Sequence, residues 1–255
     1  MDRPELTQSK LSLVGGTAVL ALASDKVNAL DLQLLTEIPT VVEYCEQDPD
    51  VTALVLTGEG SLFSAGLNVN EILANDAHHT GLVLDALNTA LRALFTCPLP
   101  TVVAVNGSAI AGGCLLACVF DTRLIADDAR IGVTELKVGV AFPVLTVELL
   151  KHVSGPNAEW LMFDAGLLDA DAACARGLVH RSLPSSELAE AALAEAARLA
   201  SLDPRAYALA KAGARRSVLA ADDDEGGRHL DRQVLEHWQD DRTRAGLEKL
   251  LKPKR

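Results

Sequence analysis

Thr101-Val102-Val103-Ala104-Val105-Asn106-Gly107-Ser108-Ala109-Ile110-Ala111-Gly112-Gly113-Cys114 runs from an apolar, strand-like stretch through small residues into a short helical pattern at 113–119. A strand that turns on Ala and Gly into a helix leaves unpaired N–H groups at the helix start, and small residues let a ligand come close to them. The same design occurs earlier. Thr52-Ala53-Leu54-Val55-Leu56-Thr57 reads as a buried strand, and Phe63-Ser64-Ala65-Gly66-Leu67 as the turn that follows. Two such turns can aim two N–H donors at one oxygen, which is how an oxyanion hole is built. A third segment, Ile131-Gly132-Val133-Thr134-Glu135-Leu136-Lys137-Val138-Gly139, sets one carboxylate in a largely apolar stretch.

Around these turns the chain alternates strand and helix. Residues 11–14 and 17–23 read as two strands of a hairpin across Gly15-Gly16. Asp31 is placed to cap a helix to about Glu46, with Pro39 a local cost inside it. Leu84, Leu87, Leu91 and Leu94 recur at helical spacing over 81–95. Residues 123–126 read as another strand. Strand and helix in alternation predict an α/β fold with parallel pairing. From about Val144 the patterns turn helical: 144–153, 156–163, 169–176, 186–202, 204–219 and one last helix over about 225–251. Residues 178–181 are the one late strand candidate. Asp203-Pro204 is a good helix start, with Pro at the first helical position. Asp222-Asp223-Asp224-Glu225 reads as the cap and acidic first turn of the last helix.

The 255 residues suit one large domain or a domain with a helical appendage. Apolar residues make up 49% and aromatics 4%, so the core is built of Ala, Leu and Val. The net charge of −12, with no long Lys/Arg block, speaks against nucleic acid and acidic membrane surfaces as partners. The stretch between Arg92 and Asp121 holds no charge and is long enough to span a bilayer, but Pro98, Pro100, Asn106, Gly107, Gly112 and Gly113 interrupt it. Met1 to Lys10 is mostly polar and shows no signal-peptide pattern. The expectation is a soluble, cytoplasmic protein. Cys45, Cys97, Cys114, Cys118 and Cys174 form no C-x-x-C pair and read as free thiols, with no metal site expected. His78 and His79 read as surface residues of a polar loop, and Asp121 as a turn residue after an apolar helix.

Four ordered segments, Val27-Asn28-Ala29-Leu30, Phe63 to Asn68, Val105 to Cys114 and Ile131 to Glu135, resemble the crotonase superfamily, also called the enoyl-CoA hydratase/isomerase family. The resemblance implies a spiral of ββα repeats with a helical C-terminal region. Residues 1–195 would form the core with the acyl-CoA site; residues 196–255 would cover that site and drive assembly into trimers, or trimers paired into hexamers. It implies acyl-coenzyme A thioesters as substrates, with no cofactor beyond the coenzyme A that the substrate carries. Carried over by position, Ala65 and Gly112 would donate the two N–H groups to the thioester oxygen. Asn28, Ser64, Gly66, Leu67, Asn68, Leu115 and Thr134 would belong to the substrate site.

Hydratases of that family carry two catalytic glutamates. Here the first of those positions is Leu115, and the second matches Glu135. One glutamate resembles the Δ3,Δ2-enoyl-CoA isomerases. The chemistry agrees: moving a double bond from C3–C4 to C2–C3 needs one base that takes a proton at C2 and returns it at C4. Adding water needs that water positioned and deprotonated, and Leu115 cannot hydrogen-bond it. The alternatives are a hydratase-like enzyme working through Glu135 alone and a non-catalytic acyl-CoA-binding member. Taken without the resemblance, Glu135 reads as an ordinary capping or salt-bridged surface residue. The second small departure, Asn68 in place of Asp, keeps a polar helix cap.

Overall fold

The computed structural model describes residues 3–251. The chain opens with the expected hairpin, β1 (Ser9–Val14) and β2 (Thr17–Leu22), followed by α1 (Leu32–Gln47), which Asp31 caps through the Leu34 N–H at 2.7 Å. Then β3 (Ala53–Gly58) and β4 (Leu62–Ser64) lead to α2 (Val69–Ala74) and α3 (Ala77–Thr96). Next, β5 (Thr101–Val105) and β6 (Ser108–Ile110) lead to α4 (Gly112–Cys118). In the following repeat, β7 (Thr122–Ala126) and β8 (Arg130–Gly132) run into a 3₁₀ turn at Glu135–Val138 and then α5 (Val144–Ser154).

After the hairpin, whose two strands share one sheet, the first strand of each unit joins that sheet and the second joins another. The six-stranded sheet has the order β1-β2-β3-β5-β7-β10, and the four-stranded sheet β4-β6-β8-β9. Strands β3, β5 and β7 pair in parallel, as do β4, β6 and β8. Each unit thus steps one strand along both sheets, which is the expected spiral of ββα repeats. Strands β4, β6 and β8 were not expected from the sequence, because three residues show no measurable alternation.

The rest is α6 (Ala158–Asp164), β9 (Leu168–Asp169), α7 (Ala170–Ala175), β10 (Arg181–Leu183), α8 (Leu188–Ala200), α9 (Pro204–Asp223), α10 (Glu225–Trp238) and α11 (Asp241–Leu251). The expected strand at 178–181 begins only at Arg181. The expected single last helix is broken at Gln239-Asp240 into α10 and α11. The expected boundary at 195/196 falls within α8, which packs on β2, β3, β5 and β7.

Two polar residues are also more deeply used than expected. His79 lies in α3, with its Nε2 2.9 Å from Glu71 Oε1. Asp121 is no mere turn residue. Its carboxylate accepts from Lys211 Nζ at 2.8 Å, Arg215 Nη2 at 2.6 Å, Tyr207 Oη at 2.9 Å and the Thr101 N–H at 2.9 Å. Lys211, Arg215 and Tyr207 all lie on α9, so this one carboxylate pins α9 to the starts of β5 and β7. In the acidic tract, Asp224 caps α10 through the Gly227 N–H, while Asp222 and Asp223 pair with Arg92.

Among the described residues no helix is long and apolar enough to cross a membrane. The charge-free stretch after Arg92 becomes the end of α3, the buried strand β5, the partly buried β6 and the buried helix α4.

Candidate active site

The two glycine-bearing turns meet. Gly66 has φ +89°, and a Cβ added there would stand 2.8 Å from Ile110 O and 3.1 Å from Gly112 N, so only glycine lets the turns close on each other. Ala111, the residue before α4, is held at φ 51°, ψ −121°, a conformation rare outside glycine. That strained residue aims the first N–H of α4 outward. The Gly112 N–H has no acceptor among the described residues, as a first helical residue has none within its own helix.

The partner donor differs from expectation. The Ala65 N–H donates to Val27 O at 3.0 Å and is spent on holding the first loop. Leu67 bridges Leu30 through its neighbours: Leu30 N donates to Gly66 O at 2.9 Å and Asn68 N to Leu30 O at 3.0 Å, leaving the Leu67 N–H without an acceptor among the described residues. A Cβ on Gly112 would stand 3.5 Å from Leu67 N. The free pair is therefore Leu67 and Gly112, not Ala65 and Gly112.

Several expected substrate residues shape the loops rather than line the cavity. Asn28 is fully buried at φ 48°, and its Nδ2 donates to Glu59 O and Leu62 O. Ser64 is fully buried; its hydroxyl donates to Asn28 O and accepts from the Gly66 N–H. Asn68 caps α2 through the Glu71 N–H, as its polar side chain led one to expect. Ala65, Leu67, Gly112, Leu115, Thr134 and Glu135 do line the cavity.

That cavity holds about 500 Å³. Its walls are largely apolar: Leu84 and Leu87 from α3, Leu115 from α4, the 140–143 loop, and Trp238, Leu247 and Leu250 from the tail. The tail is tied across it. Trp238 Nε1 donates to Ala141 O at 2.9 Å, and Arg244 donates to Ile72 O and Leu73 O at the end of α2. Gly246 lets α11 press onto the Glu135 turn, since a Cβ there would stand 2.4 Å from Val138 O. On α10, Val234 and Trp238 are buried within the chain itself, whereas Leu230 is exposed.

Among the described residues, Glu135 is the one carboxylate lining this cavity. It is 7% exposed, and among the described residues it makes no ion pair and its buried Oε2 has no hydrogen-bond partner, which overturns the surface reading. Loss of hydration pushes its pKa up to about 7, only partly opposed by the backbone N–H groups of Glu135 and Thr134. Near neutral pH the group thus holds a proton about half the time, the condition in which one carboxyl serves as both base and acid. Leu115, 2% exposed, keeps its part of the cavity apolar.

The family model for enoyl-CoA hydratase/isomerase matches residues 15–253. The chain belongs to the enoyl-CoA hydratase/isomerase family, within the crotonase superfamily. Among curated relatives, a putative enoyl-CoA hydratase of Thermus thermophilus is 35% identical over 204 residues, covering 77% of this chain and 79% of the relative. The human mitochondrial enoyl-CoA delta isomerase 1 is 31% identical over 207 residues, covering 80% of this chain and 68% of the relative. Among solved structures, a human mitochondrial Δ3,Δ2-enoyl-CoA isomerase superposes with a TM-score of 0.90 at 26% identity, covering 96% of this chain and 97% of that one. The family's enzymes are named for both hydration and isomerisation.

Proposed function

We propose that this family member is a Δ3,Δ2-enoyl-CoA isomerase. The observation that carries the reading is the carboxylate count: among the described residues Glu135 alone faces the cavity, with apolar Leu115 where a second glutamate would stand. The thioester oxygen of a 3-enoyl-CoA accepts from the Leu67 and Gly112 N–H groups. Ionised Glu135 removes a proton from C2, and the electron pair moves onto the thioester oxygen as an enolate. Each N–H donor lowers that barrier by about 3 kcal/mol, on the scale of other oxyanion holes. The enolate then collapses, the double bond moves to C2–C3, and the protonated Glu135 delivers its proton to C4. No net proton is gained or lost, and the base needs no partner acid.

The 35% identity to a putative enoyl-CoA hydratase favours a second reading, hydration of 2-enoyl-CoA through Glu135 alone. Assaying the wild type on 3-hexenoyl-CoA and crotonyl-CoA side by side separates the two. Faster isomerisation is expected; faster hydration of crotonyl-CoA overturns the isomerase reading.

The proposal extends to assembly as a trimer or a pair of trimers. Phe163, 71% exposed, and Leu209, 67% exposed, are the large apolar side chains left most open on the single chain. A monodisperse monomer by light scattering would contradict that.

A further inference from the structure

Arg123, on β7, is buried, at 6% exposed. Its guanidinium donates to three carbonyls: Nε to Leu178 O at 2.7 Å, Nη1 to Phe120 O at 3.0 Å and Nη2 to Gly177 O at 3.1 Å. Among the described residues no carboxylate lies within ion-pair distance of it. A buried cation without a counter-ion is a costly arrangement. Beside it, Asp121 is shared between Lys211 and Arg215, so three buried cations stand against one carboxylate. In a chain of net charge −12 this is a local excess of two positive charges.

These cations line a cavity of about 500 Å³ between β7, α5 and α9, together with His152, His180 and Tyr207. It shares no lining residue with the cavity of Glu135. It opens at the starts of β5 and β7, whereas the Glu135 cavity lies beyond their ends. Burial and Arg123 hold the His180 pKa down at about 4, and burial with Arg215 and Arg123 lowers that of His152. Glu195, whose charge also reaches His180, is engaged by Arg198 and Thr122.

The His180 ring sharpens the point. Its Nδ1 accepts the Arg123 backbone N–H at 3.0 Å, so a neutral ring carries its proton on Nε2. That Nε2 lies 3.3 Å from Arg123 Nη2. Two N–H donors are thus held side by side at the cavity wall, next to unbalanced positive charge. An oxygen acceptor that bridges them relieves both defects at once.

We propose that this cavity binds an oxyanion: a phosphate group, free or carried on a small metabolite, seated against Arg123 Nη2 and His180 Nε2. The cavity volume exceeds that of a phosphate several-fold, which leaves room for the carrier.

The test is thermal unfolding in sodium phosphate titrated against sodium chloride of matched ionic strength, repeated with glycerol 3-phosphate. The wild type should gain a saturable rise in Tm, because a ligand that binds only the folded state stabilises it. Full effect from inorganic phosphate assigns the site to the free ion; a larger effect from the ester assigns it to a carried phosphate. His180→Asp supplies a fixed carboxylate to Arg123 and should unfold no earlier than the wild type in chloride, while losing the response. Ala210→Glu, on the exposed side of α9, brings a carboxylate to the same cavity and should lose it too, which keeps the test decisive if the first variant fails to fold. Both variants should turn over enoyl-CoA as the wild type does. No response to either phosphate source, or a response that survives in the variants that fold, overturns the site.

Discussion

Glu135→Gln separates what the carboxyl does for catalysis from what it costs the fold. In the unfolded chain Glu135 releases its proton near 4.5, and in the folded protein only near 7. Between those values the folded state binds more protons than the unfolded one, so stability falls as pH rises through the interval. The contribution is fully present below about 4.5 and fully lost above about 7. Each pH unit of displacement is worth about 1.4 kcal/mol, so ionised Glu135 costs the folded enzyme about 3 kcal/mol at pH 8. At 7% exposure there is little solvent screening to discount this. Glutamine has nearly the same shape and does not titrate. The variant should therefore gain on the wild type by about 3 kcal/mol between pH 4.5 and 8, while its kcat falls ~10²-fold or more with little change in ligand affinity. Urea unfolding of both proteins across that range, at one matched protein concentration, reads the difference. Every other titrating group is common to the two chains and cancels. A stability difference flat with pH would show that Glu135 is hydrated like a surface carboxylate, and normal turnover by the variant would remove it from the mechanism.

For the wild type, kcat/KM on 3-hexenoyl-CoA should rise with pH and level off, with a midpoint near 7 set by the buried Glu135; a midpoint near 4.5 would contradict the burial argument. Gly66→Ala puts a Cβ 2.8 Å from Ile110 O at φ +89° and pushes the two turns apart, so kcat should drop ~10²-fold, the loss expected when an oxyanion donor is displaced; near-normal turnover in a steady-state assay would mean that the turns do not act together. Asp121→Asn leaves Lys211 and Arg215 buried without a counter-ion and should cost about 3–5 kcal/mol of stability, read from the urea midpoint; a change below about 1 kcal/mol would show that α9 is held without it.

The reach of sequence reasoning here follows the range of the interaction that decides each feature. Caps, turns and apolar periodicity are local, so α1 and its Asp31 cap, the Gly15-Gly16 hairpin and the strand at 101–106 were legible to within a residue or two. The pairing of the two turns was legible in outline, because small residues before a helix have few other uses. Which N–H of the first turn is free was not. Ala65 and Leu67 lie two residues apart in the same turn, and the choice rests on Val27 and Leu30, more than thirty residues earlier in the chain. Asp121 shows the same limit with larger consequence: nothing near it in sequence announces that α9, some ninety residues on, brings it Lys211 and Arg215. Glu135 joins both cases. Its candidacy came from the resemblance, since on its own it read as a surface residue; its proton affinity is made by the walls that bury it, among them Trp238 and Leu247 from the tail expected to cover the site. The same tail that closes the cavity removes the water that would hold Glu135 ionised. Closure and base strength are then one property, and a substitution that loosens α10 or α11 should lower the Glu135 pKa as it opens the site.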